Sequence, residues 1–117
     1  MEEQNIDRSL ATAKWQNLCD EIQSECRSVN SVAGQRITVE RTPLTLAVKD
    51  TKTRKLLLLS YQEAGPCISY LESGRADSNI NFRVEHTSFP SLTLMHSGIP
   101  KLPRDLAVSL VIGLSRF

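Results

Sequence analysis

The chain has 117 residues, 40% of them apolar and 23% charged, with 14 Lys and Arg against 13 Asp and Glu for a net charge of +1. That length suits one domain that folds without a metal or disulfide staple. The near-neutral balance gives no field to steer a nucleic acid or an anionic membrane.

No apolar run approaches the roughly 18 residues of a membrane span. The first residues, Met1 to Asn5, are acidic and polar, the wrong sign for a secretory leader. A cytoplasmic location is therefore expected. The cysteine count is three. Cys19 and Cys26 stand seven residues apart on an expected helix, about 10 Å along its axis. That separation is too wide for a disulfide. Both are expected to be reduced and buried.

Asp7 or Ser9 can cap the first helix, expected over about 8–32. Ala11, Trp15, Leu18, Cys19, Ile22, Cys26 and Val29 recur at three- and four-residue steps, and the other side is polar. Asn30 and Gly34 supply the stop.

From Arg36 to His96 the period drops to two. Six short alternating segments follow, closed by turns at Thr42-Pro43, Asp50 to Arg54, Ala64 to Pro66, Ser73 to Ser78, and Ser88 to Ser91, with Ser97-Gly98 ending the last. Loops this short leave no room for parallel crossovers. An antiparallel meander over about 36–96 is expected. Pro103 then suits the first position of a second helix over about 103–116, with Asp105 in its first turn. The expected fold is α+β: two helices laid on one face of about six strands, in a single domain spanning 1–117.

Two places break the pattern. Leu56 to Leu59 are four consecutive leucines, so two must face away from the helices. The expected patch is Leu57 and Leu59 with Ile68 and Tyr70, or their register partners. In the second helix Leu106, Ala107, Leu110, Val111, Leu114 and Phe117 form the inner stripe, while Val108 and Ile112 project opposite it. A helix apolar on two sides is either wedged inside the fold or meets another subunit.

Other constellations point to structure rather than chemistry. The spacing of Cys19 and Cys26 is not that of a zinc site. His86 and His96 fall about 17 Å apart on one hairpin, too far to share a site. Cys67 follows Gly65-Pro66 with no local group to stabilise a thiolate. Lys49 to Arg54 and Lys55 form the most basic run, four positive charges and one negative, which reads as a solvated hairpin tip. Asp20, Glu21 and Glu25 lie on an exposed helix face. No metal, cofactor or nucleic acid is expected. The leading expectation is a small non-enzymatic interaction module, pairing with itself as a homodimer or with a protein partner. One alternative is a binder of a small apolar ligand between sheet and helices, lined by Trp15, Ile22, Phe82 and Leu110. The other is an enzyme using Cys67 or a histidine.

Overall fold

The computed structural model describes residues 8–63, 67–72, 78–85, 91–96 and 99–115. Helix α1 runs Arg8–Ala33, 26 residues and about 39 Å long. Ala11, Trp15, Leu18, Cys19, Ile22 and Cys26 are buried, as their spacing requires. Ser9 falls inside the helix and is not its cap, and Asp7 lies outside the described residues. Gly34, at φ 82°, takes the left-handed conformation that ends the helix. Asn30 does not end it. Its Oδ1 accepts the amides of Arg36 at 3.1 Å and Ile37 at 2.9 Å, and its Nδ2 donates to the Ile37 carbonyl at 3.0 Å. The chain leaving the helix is thereby fastened back onto it.

The strands are β1 Ile37–Arg41, β2 Thr45–Asp50, β3 Leu56–Gln62, β4 Cys67–Glu72, β5 Ser78–Glu85, β6 Ser91–His96 and β7 Ile99–Lys101. They form one antiparallel sheet in chain order. The expected meander is present with one strand more than its pattern gave. The sheet extends past His96 because Ile99 pairs with it and Lys101 with Leu94. Three residues are too few to show a period, and Pro100 disguised them further. An edge strand is where a sheet tolerates proline. Helix α2 follows at Pro103–Ser115.

Register decides which side chains are covered. Leu46 pairs with Leu59, Val48 with Leu57, Tyr61 with Ile68, and Ile68 with Ile80. All are buried, in one cluster with the stripes of α1 and α2. Both helices therefore lie on this face. Trp15 of α1 stacks on Tyr61 with ring centroids 5.6 Å apart and planes 12° apart. Its indole N–H donates to the Pro43 carbonyl at 2.9 Å, so the buried polar atom is satisfied.

Among the described residues one acid is fully buried. Asp50, 0% exposed, ends β2 on the covered face. Its Oδ2 lies 2.7 Å from Arg36 Nη2. Its Oδ1 accepts from Arg36 Nε at 3.2 Å and from the amides of Lys52 and Thr53 at 2.8 and 3.1 Å. Burial works against the charged form. The Arg36 hydrogen bond, the Thr53 and Lys52 amides and the Arg36 charge outweigh it and hold the carboxyl below its ordinary range. The hairpin closes with Asp50 N–H to the Lys55 carbonyl at 3.0 Å and Arg54 N–H to the Asp50 carbonyl at 2.8 Å. Arg54 sits at φ 61°, the left-handed region a side chain disfavours.

Asp50→Asn keeps an acceptor for the amides but removes the carboxylate charge that faces Arg36. It is expected to cost about 3 kcal/mol at neutral pH in urea unfolding. A depressed folded pKa stabilises above the unfolded value and loses that contribution as pH falls through the folded one. The gap between wild type and the variant should therefore be complete above the ordinary carboxyl value of 3.8 and close as the solution is acidified below it. Arg54→Gly removes the left-handed penalty at the cost of a looser unfolded chain. A net gain of about 0.5–1 kcal/mol in the same measurement is expected.

Candidate interaction surfaces

Each strand presents alternate residues to opposite faces, so the register that buries one set exposes the other. Leu57, Leu59 and Ile68 are in the core with no exposed surface. They are not on a contact surface, and this corrects the expectation that named them. Tyr70 is half-buried and packs against the same core. The register partners take the outer face: Leu56 is 39% and Leu71 42% exposed, and Leu58 is half-buried. The reason lies in β2, whose Leu46 and Val48 stand across from Leu59 and Leu57. Those pairs carry the apolar set that the helices cover.

On the outer face Ala47, Leu58 and Leu71 stand in one row across β2, β3 and β4. Leu56 lies one step along β3, opposite Lys49. Beside the row is a depression of about 160 Å³ lined by Thr38, Glu40, Ala47, Lys49 and Leu56. The two helices lie on the other side of the sheet. The outer side of α2 carries half-buried Val108 and Ile112, which is 44% exposed. Among the described residues that side, with Ile112 open to solvent, is not wedged between elements.

Several polar groups are tied into the fold. Thr53 Oγ1 donates to the Leu114 carbonyl at 2.9 Å and Lys55 Nζ to the Gly113 carbonyl at 3.3 Å. Two members of the basic run thus cap the C-terminal end of α2, where orphan carbonyls and the helix dipole favour donors and positive charge. The run is more than a solvated tip. Asp20 pairs with Arg41 at 2.7 Å. Glu40 on β1 and Glu85 on β5 stand four strands apart, about 19 Å, so they cannot share a proton.

Tyr70 and His96 form a contact that spacing did not suggest. The Tyr70 hydroxyl and His96 Nε2 are 2.6 Å apart, with the rings edge to face at 5.4 Å. They meet across β5, 26 residues apart in the chain. His86 lies outside the described residues, so the expected distance between the histidines has no counterpart there. Among the described residues no group of three His, Cys, Asp or Glu gathers as a metal site. Trp15, Ile22 and Leu110, named as pocket lining, belong to the core cluster, while the side chain of Phe82 is outside the described set. Among the described residues no helix is long and apolar enough to cross a membrane.

Burial pushes the Cys19 thiol up to about 12, with Arg41 opposing and Asp20 adding to the rise. It pushes Cys26 up to about 11, with Glu25 adding and Arg27 opposing. The half-buried Cys67 thiol is raised by the same cause. None of the three is activated toward the thiolate that nucleophilic chemistry needs. Native protein at pH 8 with a chromogenic disulfide reagent is expected to release one slow equivalent, from Cys67. Cys19 and Cys26 should react only after denaturant is added. Fast labelling of Cys67 would revive the enzymatic alternative. No family model, curated protein or solved structure matches the chain.

Proposed function

We propose that this protein is a small non-enzymatic interaction module whose contact surface is the outer face of the sheet. One observation carries the reading: both helices cover the same sheet face, and the other face presents Leu56, Leu58 and Leu71. A half-solvated antiparallel sheet ordinarily sets polar residues there. Grouped exposed apolar residues beside a depression mark a place where another surface is bound.

The non-catalytic part of the reading is supported by where the polar groups go. Arg36, Asp50, Asn30, Thr53 and Lys55 each hold one element to another. The reading places the protein in the cytoplasm, supported by Cys19 and Cys26, free thiols in the core as a reducing compartment keeps them.

A photoreactive residue at position 71 in the full chain, expressed in living cells, is expected to give adducts of discrete mass. The same residue in place of Gln16, exposed on α1, is expected to give none of them. No adduct from position 71, or the same adducts from both positions, would overturn the proposal.

A further inference from the structure

We draw no further inference here: the strongest candidate, the depression on the outer sheet face over β1 to β3 with Leu58 and Leu71 beside it, belongs to the contact surface already described, and nothing in the structure shows what covers it.

Discussion

The Asp50 carboxylate gathers the Arg36 guanidinium and the amides of Lys52 and Thr53, and in doing so it fixes how β3 meets β2. Most strands fix their register through their own alternation. β3 has little such signal along its first four residues, because Leu56 to Leu59 are equally apolar on both faces. Within that run a slip of one residue would exchange Leu57 and Leu59 for Leu56 and Leu58 at little hydrophobic cost, and along β3 it is Tyr61, turned out in exchange for Ser60, that opposes it. The turn chemistry forbids the slip. With Asp50 N–H on the Lys55 carbonyl, Leu57 can only stand opposite Val48. The buried charge is thus spent on specificity, a use for which such pairs are better suited than for net stability.

The same hairpin tip joins the C-terminal ends of the two helices. Arg36 follows the turn out of α1, and its carbonyl accepts the Thr51 amide and hydroxyl at 2.8 and 2.9 Å. Two and four residues further on, Thr53 and Lys55 hold carbonyls in the last turn of α2. Between Asp50 and Lys55 the exit of one helix, the end of the other and the centre of the sheet are linked by polar contacts. A polar, glycine-free loop with a strained Arg54 becomes intelligible on these terms. Its side chains have assignments that a looser turn sequence would not meet.

Much of this architecture was legible in the residues. The step from a 3.6 to a 2.0 period at Arg36 separates α1 from the sheet, and Pro103 with Asp105 opens α2. What was missed has particular causes. Ile99–Lys101 is too short to show alternation. The faces of β3 were ambiguous because four leucines carry no parity, although Leu46, Val48 and Asp50 on β2 share one. Asp50 in that series was the available sign that a charge would be buried and in need of a cation. Asn30 resembled a helix stop because its backbone role is common and its side-chain role is not. Tyr70 and His96 meet across an intervening strand, which no local pattern can encode.

The attachment of Asn30 to Ile37 has a consequence for how the sheet can grow. An open edge offers its amides and carbonyls to any extended chain, and such edges seed fibrils. At the start of β1 the amide and carbonyl of Ile37 are both taken by one asparagine side chain, which imitates a neighbouring strand. At the end of the same strand Arg41 is drawn over to Asp20 and Gln23. On the far edge Pro100 removes a donor from the middle of β7. A ribbon blunted at both margins is a poor template for a further strand. Edge-to-edge strand addition is the mode of joining that these margins disfavour.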